Sequence, residues 1–292
     1  MNTYDAFTPF GWPIVIYLTL AGLACGATLC AVFFLHSKER SLDGQSYAIV
    51  KTSLYLAIGA ILAGVLLLVF DLKSSDRFYL NFLEFNPSSA IAWGTRIITI
   101  FVMLCVFSLV LLTTVNDNDK SNPIGSVLTG LLIFFALAVG IYPAMVLGQA
   151  TIARPLWEPV LLMPLFLLLG LHSGFALVQL LTANKWTDKS LEQIRKLDLG
   201  AIGIQVVLFV LLILFTTFSS AGKEQLFFGE FALWFWVGVV FIGWALPFIA
   251  SSNSARSKNT IILTQLCFIF GAFALRTVIV FSGQGAQAFI GT

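Results

Sequence analysis

Eight long apolar stretches dominate the sequence and restrict what it can fold into. A helix that crosses a bilayer needs about 20 predominantly apolar residues, and each stretch reaches that length. They lie at 13–36, 51–72, 90–114, 124–148, 157–182, 197–217, 230–250 and 260–281. The segments between them are short and leave no room for a water-soluble domain. We predict an all-α membrane protein with a single integral domain of eight transmembrane helices.

The composition supports this prediction and excludes other classes. Of 292 residues, 59% are hydrophobic and only 10% are charged, whereas soluble domains carry about 25% charged residues. A protein of this composition could not cover a surface exposed to water, so a soluble protein and a disordered one are both excluded. A net charge of +2 gives no basis for binding nucleic acid.

The basic residues in the loops predict the orientation. Eight spans put both termini on one side, and cytoplasmic loops of membrane proteins are enriched in Lys and Arg. Loops on the side of the termini carry four such residues, Lys73, Arg77, Arg154 and Lys223. Loops on the other side carry ten: Lys38, Arg40, Lys51, Lys120, Lys185, Lys189, Arg195, Lys196, Arg256 and Lys258. We therefore expect both termini to be periplasmic.

A short internal repeat links the first and fifth spans. The run AGLACGATL begins at Ala21 and LGLHSGFAL begins at Leu169, 148 residues later, with Gly, Leu, Gly and Leu at matching positions. Four spans separate the copies, so both helices run in the same direction. Duplication would give two four-helix bundles, 13–148 and 157–281, related by an axis along the membrane normal. The alternative is that small residues recur wherever helices pack closely.

Several polar residues gather near the outer ends of the spans. Asp71 ends the second span, Arg96 lies about two turns into the third, Tyr142 and Gln149 lie near the end of the fourth, and Arg276 lies near the end of the eighth. At 1.5 Å per residue, these groups fall within roughly 10 Å of the outer interface. Ionisable groups at membrane depth are costly and are functional candidates. Together they predict a polar pocket for an amphipathic ligand.

Each of these residues also has a structural interpretation. Asp71 could simply end a helix at the interface, Arg96 and Arg276 could extend to the outer headgroups, and Tyr142 could be an interfacial aromatic residue. Asp71, Arg96 and Arg276 lie at one depth. A shared polar pocket accounts for all three residues, and we favour it over a separate explanation for each.

His172 is the deepest ionisable residue, near the middle of the fifth span. The other histidine, His36, lies at the cytoplasmic end of the first span, so the two do not match in depth as ligands of one haem would. His172 is either a packed, hydrogen-bonded side chain or part of a proton route with Gln179 and Gln205. The four cysteines form no C-x-x-C pair, so we expect no metal, haem or iron–sulfur cluster in this protein.

Two outer loops have the residues of ordered turns. FDLKSSDRFYLNFLEFNPSSAIAWG runs from Phe70 to Gly94, and its Asn86-Pro87 pair predicts a turn before the third span. GQATIARPLWEP runs from Gly148 to Pro159 and contains Arg154-Pro155. We expect Asn86, Pro87, Gln149 and Arg154 to lie on the loops that face a partner.

These loops, with AGLACGATLCAVFF in the first span, carry a resemblance to a known family. FDLKSSDRF, FNPSSAIAWG and RPLW resemble the NrfD/PsrC-like membrane subunits, and the likeness is strongest from about residue 11 to 180. The resemblance implies eight helices in two four-helix bundles and a menaquinol site near the outer surface. It also implies a periplasmic partner subunit with four [4Fe–4S] clusters, which feeds a molybdopterin catalytic subunit, and a membrane subunit without haem in the bacterial inner membrane. Asp71 occupies the position of the acidic residue that closes the second helix in this family.

The residues and the resemblance together predict a menaquinol-oxidising membrane anchor in anaerobic respiration. Asp71 would accept a proton from quinol, Arg96 would stabilise the negative charge, and Tyr142 and Arg276 would complete the quinone pocket. Polysulfide, thiosulfate, tetrathionate and arsenate stay open as terminal acceptors. Two alternatives remain, a secondary transporter of a small solute and a passive anchor without quinone chemistry.

Overall fold

The computed structural model describes residues 10–37, 44–71, 89–114, 124–151, 154–186, 188–215, 224, 226–252 and 258–285. Eight long helices fill these ranges. They are α1 (Trp12–Ser37), α2 (Gly44–Asp71), α3 (Ala90–Thr114), α4 (Ser126–Gly148), α5 (Pro159–Leu181), α6 (Asp188–Phe215), α7 and α8 (Lys258–Gly285). In α7, the π-helical segment Trp234–Ala245 continues as the α-helical segment Leu246–Ser252.

All eight helices are long and apolar enough to cross a membrane, which confirms the predicted number of spans. Two helices begin earlier than predicted: α2 at Gly44 rather than at 51, and α6 at Asp188 rather than at 197. Their first turns are polar in sequence, so hydropathy detects only the apolar part of each helix. The backbone continues its helical hydrogen bonds into the polar turns, because those bonds do not depend on side-chain polarity.

The helix α1 lies at the centre of the molecule. It packs against α2, α4, α5 and α8. In its apolar segment 83% is buried inside the protein, compared with 28% in α2 and 22% in α3. The outer faces of α2 and α3 carry exposed apolar side chains such as Leu66, Met103 and Phe107. Such faces suit contact with lipid, which is as apolar as the side chains themselves.

The backbones of α1 and α5 touch at glycines. A Cβ on Gly170 would lie 2.9 Å from the Cα of Gly22, and a Cβ on Gly174 would lie 2.5 Å from the Cα of Gly26. Each contact joins two equivalent positions of the internal repeat, at matching heights on the two helices. Glycines spaced four residues apart allow this close approach of helices in membranes.

The two ends of the described chain meet on one face of the bundle. The backbone N–H of Phe10 donates to Oε1 of Gln284 (2.9 Å), and Nε2 of Gln284 donates to the carbonyl oxygen of Phe10 (3.0 Å). We call this face, where Phe10 and Gln284 meet, the terminal face. Because successive helices alternate in direction, the starts of α1, α3, α5 and α7 lie there with the ends of α2, α4, α6 and α8.

Candidate functional site

Tyr142 forms the best-defined polar position near the terminal face. It lies six residues before the end of α4, and only 8% of it is exposed. Its ring lies directly on Gly94 of α3, so that a Cβ on Gly94 would overlap the phenol carbon, the hydroxyl and a neighbouring ring atom. The site therefore joins α3 and α4 through the hydroxyl end of one tyrosine.

A second buried tyrosine also lies near the terminal face. Tyr17 of α1 is 6% exposed. Its ring lies 3.1 Å from the position that a Cβ on Gly64 of α2 would occupy. At 1.5 Å per residue, Tyr17 and Tyr142 both lie within roughly 10 Å of the helix ends at the terminal face.

The sequence analysis did not select Tyr17, because an aromatic residue in an apolar run has no distinguishing pattern. The available signal was its depth, which matches that of Tyr142. Two phenol hydroxyls at one depth offer both a donor and an acceptor to a bound carbonyl or hydroxyl group.

Arg96 and the end of α2 lie at the same face. Arg96 is two residues beyond Gly94, and its Nη1 donates to the carbonyl oxygen of Ala92 (2.9 Å), one turn nearer the start of α3. The guanidinium is thus directed toward the terminal face. The backbone of Asp71 ends α2 at this face, but its side chain lies outside the described part of the protein, as do Asn86 and Pro87 entirely.

Arg276 lies inside the bundle. It is 1% exposed, its Nη2 donates to the carbonyl oxygen of Phe166 (3.3 Å) and its Nη1 to that of Ala272 (3.3 Å). The guanidinium also packs against Gly22. Ala272 is one turn farther from the terminal face, so the side chain points into the protein and not toward the headgroups.

The described contacts of Arg276 are with α1, α5 and α8, whereas the described contact of Tyr142 is with Gly94 of α3. The sequence placed both residues at one depth, but it could not indicate the direction of the arginine side chain. The structure therefore does not bring Arg276 and Tyr142 into one contact.

A second polar cluster lies deeper, around His172 of α5. Its Nε2 lies 3.1 Å from Oδ1 of Asp198 on α6, and its Nδ1 lies 3.2 Å from Nε2 of Gln205. The ring of Phe268 on α8 packs on the imidazole with 3.7 Å between centroids. His172 lies thirteen residues beyond the start of α5, roughly 20 Å from the terminal face at 1.5 Å per residue.

The polarity of these atoms is complementary. When the Gln205 amide donates to Nδ1, the neutral imidazole carries its proton on Nε2, facing the Asp198 carboxylate. The two atoms are at ion-pair distance, although their angle is not that of a hydrogen bond. Both side chains are buried, so His172 is neither isolated in an apolar core nor exposed to lipid.

Asp198 is the principal residue that sequence analysis missed. The predicted sixth span began at 197, which placed this aspartate at a helix end near water. Because α6 starts at Asp188, Asp198 is instead almost three turns inside the helix. The available signal was its seven-residue spacing from Gln205, which puts both side chains on one face of a helix.

Gln179 lies two turns beyond His172 on α5. It is buried, and its Oε1 has no hydrogen-bond partner among the described residues. A buried carbonyl oxygen of this kind usually binds water. The described contacts do not link Gln179 directly to His172.

The connection from α4 to α5 is ordered around Trp157. Thr151 Oγ1 donates to the carbonyl oxygen of Trp157 (2.8 Å), and Trp157 Nε1 donates to that of Ile279 on α8 (3.0 Å). Arg154 packs its guanidinium over the Trp157 ring at 4.7 Å and is buried, which lowers its pKa from the ordinary arginine value. Gln149 is exposed. Of these two predicted partner-facing residues, Gln149 alone presents its side chain to the outside.

Within the described ranges, no group of three or more His, Cys, Asp or Glu side chains is placed to hold a metal ion. Cys25, Cys30, Cys105 and Cys267 are buried and do not form disulfides. The polar groups that the structure brings together can donate, accept and carry protons.

Comparison with known proteins identifies the family. The family model described as polysulphide reductase, NrfD, matches residues 2–288. The chain belongs to the NrfD family. It is 29% identical to a chain of the polysulfide reductase of Wolinella succinogenes, over 94% of this protein and 93% of that one. It is 23% identical to protein NrfD of Escherichia coli, over 94% of each. A selenate reductase subunit of Mesobacillus selenatarsenatis is also 23% identical, over 100% of this protein and 78% of that one.

Membership of this family confirms the resemblance found in the sequence. Together with the eight apolar helices, it makes this a multi-pass membrane protein of a family that serves oxidoreductase complexes. Two of the relatives named above belong to reductases, one of polysulfide and one of selenate.

Proposed function

We propose that this protein is the menaquinol-oxidising anchor of a respiratory reductase, with its quinone site at the terminal face. The observation that carries the proposal is the packing of Tyr142 on Gly94, at the same depth as a second buried tyrosine, Tyr17. Two buried phenol groups lie at the same depth as Arg96 and the end of α2 at Asp71. Together they make a polar region at the terminal face of an otherwise apolar bundle. A quinol has the matching chemistry, a polar headgroup on an apolar tail.

Quinol oxidation releases two electrons and two protons. We assign the first proton acceptor to Asp71, because a carboxylate at a membrane interface can act as a general base. Arg96 would stabilise the carboxylate or the quinol oxyanion, and the Tyr142 hydroxyl would hydrogen-bond a quinone oxygen. The contacts of Arg276 instead support a role in holding α1, α5 and α8 together.

Electrons would leave through a partner, because His, Cys, Asp and Glu form no metal-binding group within the described residues. We propose a periplasmic subunit with four [4Fe–4S] clusters that passes electrons to a molybdopterin catalytic subunit. The family and the relatives that belong to reductases support such partners. The exposed Gln149 belongs to the surface that would face the iron–sulfur subunit.

The proposed setting is the bacterial inner membrane, with both termini periplasmic. The bias of Lys and Arg toward the opposite loops supports this orientation. We also propose that residues 13–148 and 157–281 form two four-helix bundles. The paired contacts of Gly22 with Gly170 and of Gly26 with Gly174 support an axis between α1 and α5 that relates the bundles.

We further propose that His172, Asp198 and Gln205 form part of a proton route from the cytoplasm, with Gln179 on the cytoplasmic side. If electrons and protons both left toward the periplasm, turnover would be electroneutral, so energy conservation needs such a route. An imidazole can both accept and donate a proton, and the Asp198 carboxylate lies 3.1 Å from it.

One experiment tests the central proposal. The protein would be tagged, expressed with its natural neighbours and extracted in mild detergent, and the preparation assayed for proteins, iron, molybdenum and menaquinone. We expect an iron–sulfur subunit and a molybdenum protein, with oxidation of a water-soluble naphthoquinol. Tyr142→Phe should impair that oxidation, whereas Tyr55→Phe, at a tyrosine 54% exposed on α2, should not. A lone, metal-free protein would favour a transporter instead.

A further inference from the structure

We infer that Gly94 is a positioning residue, which fixes where the Tyr142 hydroxyl lies and so how the quinol headgroup is held. The inference rests on the proposed quinol site and adds a determinant that is not itself polar. Gly94 has no side chain with which to touch the quinol, and the inference is that it acts through the tyrosine that packs on it.

The contact occurs at the reactive end of Tyr142. The three atoms closest to a Cβ built on Gly94 are Cζ, Oη and Cε2 of Tyr142, all far inside van der Waals contact. Ordinary contact between carbon atoms is about 3.5 Å, so an alanine at this position would have to displace the ring by more than about 1 Å. A phenol ring is rigid, and therefore its hydroxyl would move with it.

The surroundings of Tyr142 limit how this overlap could be relieved. Tyr142 is 8% exposed, and the next two residues of α4, Pro143 and Ala144, are buried. Gly22 offers a contrast, because its closest neighbour is the flexible end of Arg276. At Gly94, either the hydroxyl or the helix pair α3 and α4 must shift.

Other glycines of the first four helices provide a graded series. A Cβ on Gly64 would lie 3.1 Å from the Tyr17 ring, which a shift of a few tenths of an ångström would relieve. A Cβ on Gly59 of α2 or on Gly130 of α4 would meet nothing within 4 Å. Alanine substitutions at Gly94, Gly64 and Gly130 add the same methyl group. At Gly94 it would displace a tyrosine ring by a large amount, at Gly64 by a small amount, and at Gly130 it would displace nothing.

The test uses the complete membrane complex and a water-soluble naphthoquinol as the electron donor. A misplacement of reacting groups by about 1 Å can lower a rate about 100-fold, so we expect Gly94→Ala to lower kcat/KM by roughly 10- to 100-fold. Gly64→Ala should change it by less than about fivefold, and Gly130→Ala should leave it unchanged. Equal activity of Gly94→Ala and Gly130→Ala would overturn the inference.

A double substitution separates positioning from general damage. If Gly94 acts through the Tyr142 hydroxyl, Gly94→Ala should have little further effect in a Tyr142→Phe background. An equal loss in both backgrounds would contradict the inference. If Gly94→Ala prevents assembly, Gly94→Ala with Tyr142→Leu should restore it without restoring activity, because the overlapping ring atoms are gone. Failure of that rescue would also overturn the inference.

The outcomes also distinguish this inference from the proposed function. If Tyr142→Phe showed wild-type kinetics, the proposed quinol site at Tyr142 would be contradicted, whatever the effect of Gly94→Ala. If Tyr142→Phe lowered naphthoquinol oxidation and Gly94→Ala did not, the proposed quinol site would stand. Only the positioning role of Gly94 would be contradicted.

Discussion

Gly26 of α1 and Gly174 of α5 contact each other backbone to backbone, with 2.5 Å between the Cα of Gly26 and a Cβ built on Gly174. The two residues occupy the same position of the internal repeat, 148 residues apart. A contact between equivalent residues at one height is the geometry that duplication predicts. Close packing of small residues predicts it as well, and Gly243 and Gly271, which are not equivalent in the repeat, touch in the same way.

Gly26→Ala should destabilise the protein because the new methyl group overlaps the α5 backbone. Overpacking of a tight contact typically costs about 1–3 kcal/mol. We expect a lower midpoint of thermal unfolding in detergent, followed by tryptophan fluorescence. Gly59→Ala, at a position with open space, is the matched control. Equal midpoints for the two variants would contradict the close contact.

Arg276→Lys should weaken the contact among α1, α5 and α8. Arginine bonds the carbonyl oxygens of Phe166 and Ala272 at once, and a lysine ammonium cannot reproduce this planar fork. A hydrogen bond to a charged group is worth about 1.5–3 kcal/mol. We expect a loss of that order in the free energy of unfolding, measured by thermal unfolding in detergent. Unchanged stability of Arg276→Lys would contradict this assignment.

Asp71→Asn should abolish most quinol oxidation while leaving assembly intact, because an amide cannot accept the quinol proton. General acid–base catalysis contributes about 100- to 10,000-fold, and a loss in that range is expected in the naphthoquinol assay. Asp71→Glu keeps a carboxylate and should retain part of the rate. Full activity of Asp71→Asn in an intact complex would favour the passive anchor.

His172→Ala and Asp198→Asn should uncouple proton uptake from electron transfer. Both substitutions break the 3.1 Å pairing of imidazole and carboxylate. In proteoliposomes with a pH-sensitive dye, we expect quinol oxidation to continue with reduced proton uptake from the cytoplasmic side. Unchanged turnover and unchanged coupling in both variants would exclude the proposed route. Thr264→Val, on a buried residue of α8 bonded within its own helix, is a suitable control.

The orientation is tested with reporters fused to the protein. Alkaline phosphatase folds to an active enzyme only in the periplasm, because its disulfides need an oxidising compartment. A fusion after Thr292 should be active, and one after Lys120 should be inactive. The reverse pattern would contradict the orientation predicted from the loop charges.

The sequence predicted the helices better than it predicted the contacts of their side chains. Eight spans follow from hydropathy alone, since lipid requires long apolar helices. The depth of Tyr142 followed from counting residues along its helix. The contact of its ring with Gly94 could not be predicted, because it depends on how α3 and α4 pack.

Asp198 and Arg276 show the physical reason for the remaining differences. Asp198 was missed because polar first turns resemble a loop, although the helix continues through them. Arg276 was placed at the correct depth, but an arginine is long enough to point along the helix in either direction. Hydropathy and spacing do not show which direction the side chain takes. The direction depends on the carbonyl oxygens within reach, here those of Phe166 and Ala272.

The reciprocal hydrogen bonds between Phe10 and Gln284 make the described part of the protein nearly a closed ring. Ends that lie together can be joined by a linker, and new ends can be opened at an exposed position between two helices. A circularly permuted gene that began at the exposed Gln149, before the buried part of the connection from α4 to α5, would therefore translate the second half of the helices first. The order in which the ribosome delivers the two halves to the membrane would then be reversed, while their contacts across the glycines of α1 and α5 stayed the same.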